Sequence, residues 1–255
     1  PFELFNLKTK KWIEEPVQAT IKNFRSDNFL SILKGDIDFI DTALSGNVLF
    51  NLKDSYFSFV FSEGGTVHDL VLKPNNNQIF HLRNFKINRG NFKITGDVFE
   101  LDLLFTKGES NLPIKGVFGG GNLLLSMDRG KLDLSEMNPL IDFTTGGMSE
   151  LSFLLYEEKD LKLDVLLSAK NFIFDNYYLD KIDTELKLNL DKDTLEFESL
   201  KAQVEKMQIN SQGILKFGES KILADYQLKN ITLPALKKAL IRDANKIIFD
   251  HEDMN

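Results

Sequence analysis

Cysteine is absent from this 255-residue chain, and tryptophan occurs only once. The lack of cysteine excludes thiol catalysis, cysteine metal sites and disulfide bonds. Positive charge is also in short supply, since 31 basic residues against 38 acidic ones give a net charge of −7. Nucleic-acid binding needs a basic surface, so we expect no nucleic-acid partner. No apolar run approaches the roughly 20 residues of a membrane helix, and we expect any membrane anchor to lie outside this segment.

No arrangement of residues indicates catalysis. His68, His81 and His251 are far apart in the sequence, and each lacks a nearby catalytic partner. The glycines at 119–121 are not followed by the Lys-Ser/Thr pair of a phosphate-binding loop, and no spacing of oxygen ligands resembles an EF-hand. We therefore predict a protein that is not an enzyme, with no catalytic residues, no metal and no cofactor.

Strict alternation of apolar and polar residues is the dominant pattern of the chain. In the segment 98–105, for example, Phe99 and Leu101 alternate with Glu100 and Asp102. Successive side chains of a strand point to opposite faces, so such a segment has one apolar and one polar face. Phenylalanine, with 22 copies, supplies much of the apolar set. It offers area without a polar group and suits a dry surface.

The pattern predicts a mainly β protein: an elongated, largely antiparallel sheet with an open apolar groove and short helical connectors. The apolar faces would form the lining of this groove. The predicted lining consists of Phe50, Leu52, Phe57, Phe59, Phe61, Phe99, Leu101, Leu103, Phe105, Leu161, Leu163, Val165, Leu167, Leu186, Leu188, Leu190, Ile222, Ala224, Tyr226 and Leu228.

Clusters of Gly, Asn and Asp between the apolar segments predict tight turns, because these residues tolerate positive φ. They occur at 63–65, 74–77, 88–90, 119–121, 128–130, 175–176 and 191–193. Three segments instead have helical spacing after a capping residue, at 27–33, 134–141 and 232–241. In the last of these, Thr232 is the expected cap and Pro234 lies in the first turn.

The helical segments lie roughly 100 residues apart, which predicts an internal repeat. We expect repeats near residues 24–134 and 135–231, followed by a helical end segment at 232–250. The segments 85–98 and 204–217 support this prediction, because both have the sequence layout of a strand, a turn, a glycine and a second strand. The chain starts with proline instead of methionine, and we expect residues 1–255 to be a fragment of a larger repetitive protein.

This layout resembles the AsmA-like and TamB-like proteins of diderm bacterial envelopes, with a TamB-like subunit of the translocation and assembly module favoured. The resemblance rests on short helices containing Leu233-Pro234 or Asn138-Pro139, and on strands that begin with glycine, such as Gly46-Asn-Val48. It implies a sheet curled into an open, taco-like trough whose apolar lining binds acyl-chain lipid. The same resemblance implies a periplasmic portion of an inner-membrane-anchored protein. It also implies transport of phospholipid, or of another acyl-chain lipid, between the membranes in support of outer-membrane biogenesis. An outer-membrane barrel protein is the implied protein partner.

Other readings of the same alternation stay open at this point. A closed β-sandwich binding module would place the apolar faces in a filled core. An outer-membrane barrel would also alternate, but it should have girdles of Tyr and Trp, and this chain has only five Tyr and one Trp. A third alternative is a non-enzymatic assembly factor that donates a sheet edge to outer-membrane β-barrel proteins.

Overall fold

The computed structural model describes residues 5–6, 11–12, 17–25, 40–53, 56–72, 80–137, 144–219 and 221–240. Strands make up most of this described part. They are β1 (Phe5–Asn6), β2 (Lys11–Trp12), β3 (Val17–Arg25), β4 (Ile40–Lys53), β5 (Tyr56–Leu72), β6 (Phe80–Thr95), β7 (Val98–Lys107), β8 (Ser110–Gly119), β9 (Asn122–Asp133), β10 (Thr145–Glu157), β11 (Leu161–Phe174), β12 (Tyr177–Asn189), β13 (Thr194–Val204), β14 (Met207–Lys216) and β15 (Lys221–Lys229).

The strands from β3 to β15 are hydrogen-bonded neighbours in the order in which they occur in the chain. The pairs with a described register are antiparallel. Within the described residues, β3 and β15 each have one neighbour, so the sheet is open; β1 and β2 pair separately. The prediction of a mainly β, open antiparallel sheet is therefore confirmed. A meander of this kind follows from short turns, which can only join antiparallel neighbours.

The chain divides into two compact units, Pro1–Met127 and Asp128–Asn255, and the division falls within β9. In either unit by itself, the described strands of the meander lie in a single sheet. The predicted repeat boundaries stay a prediction.

Three of the predicted turns are wrong, because they lie inside long strands. Residues 63–65 belong to the 17-residue strand β5, residues 88–90 to β6 and residues 128–130 to β9. In β5 the three residues from Ser62 to Gly64 face the single residue Asn47 of β4, which makes a β-bulge. Some bulges, like many tight turns, contain a glycine with positive φ, and Gly64 has φ of 78°.

The predicted turns at 119–121, 175–176 and 191–193 are confirmed: Gly119 is the last residue of β8, and the other residues lie between two strands. The three glycines of the first turn all have positive φ, as do Asp175 and Asp193 in the other two. The predicted turn at 74–77 lies outside the described residues. At these three positions, residues that tolerate positive φ correctly predict a turn.

The helical predictions have mixed outcomes. Helix α1 spans Leu233–Ala239, with Pro234 in its first turn, and the Thr232 side chain accepts a hydrogen bond from the Ala235 N–H as the predicted cap. The segment at 134–141 contains a short 3₁₀ helix, Leu134–Met137. Residues 27–33 and 241–250 lie outside the described part of the chain. No helix among the described residues is long and apolar enough to cross a membrane.

The predicted common layout of segments 85–98 and 204–217 is wrong, because the first segment lacks the predicted turn. Residues 85–95 run through one continuous strand, in which Asn88 is only an irregularity of the pairing with β7. In the second segment, Glu205 and Lys206 form a true turn between β13 and β14. The two segments therefore differ: the 88–90 cluster lies inside a strand, whereas the turn of the second segment contains neither glycine nor asparagine.

Candidate functional site: an apolar face on each unit

The predicted lining residues of the first unit lie on one face of its sheet. Directly opposed residues of antiparallel strands point to the same face. The register pairs Phe59 with Phe50 on one side and with Phe92 on the other, and Phe92 in turn is opposite Leu101. The same holds for Phe57, Phe61, Phe99, Leu103 and Phe105. The side chain of Leu52 lies outside the described part of the structure. We call this surface the first apolar face.

Phenylalanine rings in mutual contact cover much of the first apolar face. Phe59 and Phe92 stack with centroids 4.2 Å apart and planes at 11°. Further ring pairs at 5.7–6.5 Å connect them to Phe50, Phe57 and Phe61, and Phe92 continues the row to Phe99. Offset and tilted ring pairs of this kind add to the free energy gained from area burial alone.

Phe61 is set into the sheet at three glycines. A Cβ added at Gly46, Gly65 or Gly90 would lie 2.6, 2.8 or 2.6 Å from the Phe61 ring. These glycines come from three adjacent strands, and the absence of their side chains leaves the space that the ring fills. Phe61 is accordingly only 5% exposed. The glycines of 63–65 and 88–90 therefore serve packing as well as backbone bending.

The opposite face of the first unit is polar and solvated. Glu100 and Asp102, which alternate with the lining residues of β7, make ion pairs with Lys93 (3.6 Å) and Arg89 (3.0 Å). All four side chains are more than a third exposed. The two faces of the strand therefore have the polarity that the alternation predicted.

In the second unit the predicted lining residues also share one face. Leu163 is opposite Leu155 and Leu188, and the row continues through Leu195 and Leu215 to Ile222. A second row joins Val165 to Leu186 and ends at Ala224, and a third joins Leu167 to Tyr226. Leu161 accepts a hydrogen bond from the Leu190 N–H (2.9 Å), and Leu228 is opposite Ile209. We call this surface the second apolar face.

Much of the second apolar face is only half-buried. Leu161, Leu163, Val165 and Leu167 of β11 all have intermediate exposure, as do Leu186, Leu188 and Leu190. On β15 the exposed fraction reaches 66% at Ile222 and 76% at Tyr226. Folding would normally remove such side chains from water, so a face of this composition with this much contact to water is suited to bind an apolar ligand.

One end of the second apolar face is covered. Helix α1 places Ala235 in a fully buried contact with Val204 and Met207, beside Ile209. Leu134 of the 3₁₀ helix packs next to it, against Ala169, Ile182 and Ala202. Ile182, Ala202 and Ile209 are opposed in register and so belong to the same face as the lining residues. The two helical segments thus border the face at the strand ends near the 205–206 turn.

An electrostatic contact holds α1 in place. The Asp180 carboxylate accepts hydrogen bonds from the Glu205 N–H (2.6 Å), the Lys238 ammonium (2.7 Å) and the Tyr178 hydroxyl (3.1 Å). The Glu205 N–H and then Lys238 lower the pKa of Asp180 below its ordinary value of 3.8, while the Asp180 hydrogen bond raises the pKa of Lys238. A carboxyl with a lowered pKa stabilises the folded state above about pH 4 and loses this contribution as the pH falls further.

We therefore expect Lys238→Ala to loosen α1 without unfolding the sheet. A partly exposed ion pair contributes about 0.2–1 kcal/mol, so amide exchange within Leu233–Ala239 should become up to about five-fold faster. Hydrogen exchange followed by mass spectrometry measures this, with the exposed Lys206→Ala as the matched loss of charge. Acidification below about pH 4 should loosen α1 more in the parent chain than in Lys238→Ala. Equal exchange in both variants at neutral pH would contradict the contact.

Several residues of the two apolar faces were not predicted, although they follow the same apolar–polar alternation. Phe92 and Ile94 alternate with Asn91 and Lys93, and they complete the phenylalanine row on β6. On β8 the alternating residues Leu112, Ile114, Gly116 and Phe118 are opposite the predicted residues of β7. In the second unit the missed residues are Leu151, Phe153, Leu155, Leu195, Phe197 and Leu215. Pairing each predicted strand with its neighbour would have found them.

The polar face of the second unit has a shallow depression of about 430 Å³ over β10–β13, next to Ser168 and Asp183. Asp183 is engaged by Lys181 and by the Ser168 hydroxyl, each at 2.6 Å. Among the described residues, no group of three or more His, Asp or Glu side chains could hold a metal ion. His68 bonds the Ser45 hydroxyl at 2.8 Å, and His251 lies outside the described residues.

Comparisons of the chain with protein-family models, with curated proteins and with solved structures find no match.

Proposed function

We propose that the second apolar face binds the acyl chains of phospholipid or of a related lipid. The chain would carry this lipid between the membranes of a diderm envelope, as the periplasmic part of an inner-membrane-anchored protein that supports outer-membrane biogenesis. The observation that supports the proposal is the second apolar face, where four predicted lining residues of β11, two of β12 and Leu190 just after β12 are only half-buried. The resemblance to AsmA-like and TamB-like proteins supports the same function.

The physical reason lies in the cost of moving lipid through water. Each methylene exposed to water costs about 0.8 kcal/mol, so a free lipid with two acyl chains leaves a membrane very slowly. An apolar face covers the chains, and the acyl chains in turn cover the face. Leucine, valine and phenylalanine suit this task because they provide apolar area without polar groups that would need partners. The charged headgroup would remain in water at the strand ends.

Recovery of lipid from the purified protein tests the proposal. We expect organic extraction of the chain, produced in the periplasm of a diderm host, to release phospholipid that mass spectrometry identifies. A photo-crosslinking side chain at position 188, on the second apolar face, should capture that lipid. The matched control is position 166 on the polar face of β11, where Leu166 is 55% exposed. Absence of lipid from the extract, or equal capture at both positions, would reject the proposal.

A further inference from the structure

Helix α1 covers a part of the sheet that continues the second apolar face. Val204 and Met207 are opposed in register, and they follow the opposed pair Ala202 and Ile209 on the same face. They are only 0% and 3% exposed, whereas the predicted lining residues of β11 and β12 are half-buried. The third buried member of their cluster is Ala235 of α1. The helix therefore hides an apolar surface that belongs to the same face.

The contact between α1 and this surface is small. Of the seven residues of the helix, only Ala235 is buried, while Leu233 and Leu236 are 48% and 37% exposed. A helix that covers an apolar surface normally turns its large apolar side chains toward it, because the free energy gained grows with the area buried. An isolated helix shorter than about 12–15 residues is also marginal by itself. Helix α1 is therefore weakly held.

The contacts at the two ends of α1 allow it to move as a unit. Asn230 connects it to β15 with a φ of 55°, and residues at the ends of elements commonly act as hinges. At the far end, Leu240 forms an isolated antiparallel bridge with Tyr177, and Lys238 donates a hydrogen bond to Asp180. Displacement of α1 would break these contacts and leave the pairing between the strands intact.

We propose that the surface under α1 is an additional acyl-chain site, which opens when the helix swings away. The site consists of Val204 and Met207 with Leu179 and Ile209 beside them. An acyl chain on the second apolar face can extend onto it, because the register continues through Ala202. Its methylenes would cover more apolar area than the small side chains of α1 do. Because the ligand is the acyl chain of the proposed function, this site rests on that function.

Lipid should therefore loosen α1. If opening of the helix strengthens lipid binding, lipid must favour the open helix by the same factor, and such couplings are typically at least about five-fold. We expect vesicles of palmitoyl-oleoyl phosphatidylcholine to speed amide exchange within Leu233–Ala239 at least about five-fold relative to the lipid-free chain. Hydrogen exchange followed by mass spectrometry measures this. Unchanged or slower exchange of α1 in chain that has taken up lipid would overturn the proposal.

A disulfide that holds α1 closed tests the effect on lipid binding. The chain has no cysteine of its own, and opposed residues such as Tyr177 and Leu240 have Cα atoms about 4.5–5.5 Å apart, within disulfide range. The oxidised double variant Tyr177→Cys, Leu240→Cys should bind the same lipid at least about five-fold more weakly than after reduction. The matched control is Tyr177→Cys with Phe174→Cys, opposed within the β11–β12 pair, which should bind equally in both redox states.

Photo-crosslinking at position 188, on the open part of the second apolar face, separates two kinds of failure. Lipid captured there with equal affinity in the oxidised and reduced double variant would mean that α1 is a fixed cover. The additional site would then be wrong, while the proposed function would stand. A chain that captures no lipid at position 188 would reject the proposed function and the additional site together.

Discussion

Phe61→Ala is expected to lower the free energy of unfolding of the first unit by about 3–5 kcal/mol. The ring is 5% exposed and contacts Phe59 and Phe92. Because it fills the space above three glycines, its removal leaves a cavity that the backbone of three adjacent strands cannot close. Chemical denaturation followed by circular dichroism measures the change.

A double-mutant cycle isolates the contact between Phe61 and its glycines. Gly90→Ala alone should destabilise by about 1–3 kcal/mol, since its Cβ would lie 2.6 Å from the ring. In the Phe61→Ala background the same change should cost less, because the ring is gone and only the Ile87 side chain, 2.9 Å from the added Cβ, remains too close. Gly116→Ala is the control: its Cβ would meet Phe118 at 2.8 Å, so its cost should persist in both backgrounds. An unchanged cost of Gly90→Ala in both backgrounds would contradict the packing.

Leu163→Arg is expected to abolish lipid recovery while the protein still folds. Leu163 is half-buried on the second apolar face, between Leu155 and Leu188. A long charged side chain at such a position can reach water with its head, so the stability should fall by no more than about 1–2 kcal/mol. The charge would nevertheless interrupt the apolar path that acyl chains need. Thermal melts and lipid mass spectrometry on the same sample measure both effects.

Leu166→Arg is the matched control, with the same substitution on the same strand but on the polar face. It should change neither the melting temperature nor the lipid content. Leu103→Asp supplies the opposite comparison, because Leu103 is only 8% exposed. An unpaired carboxylate there should destabilise by at least about 3 kcal/mol. Folded Leu163→Arg protein with its full lipid content would contradict lipid binding at this face.

The alternation of residues determined more of this fold than any other signal. The side-chain period of a strand is local, so Phe99 and Glu100 had to point to opposite faces whatever their neighbours. The predicted lining residues accordingly share a face within each unit. The cap of α1 could also be predicted from the sequence, because Thr232 and Pro234 act on the backbone of their own helix turn.

Only the tertiary structure decided where strands end and what the glycines do. A Gly or Asn cluster permits positive φ, but a turn and a bulge both use it. The pairing of β5 with β4 and β6 makes 63–65 a bulge, whereas 119–121 is a turn. The space that the Phe61 ring fills is formed by glycines on three strands. These glycines lie next to one another only because of the register between the strands. Register is set between strands that are distant in sequence, which is why no local pattern predicted this packing.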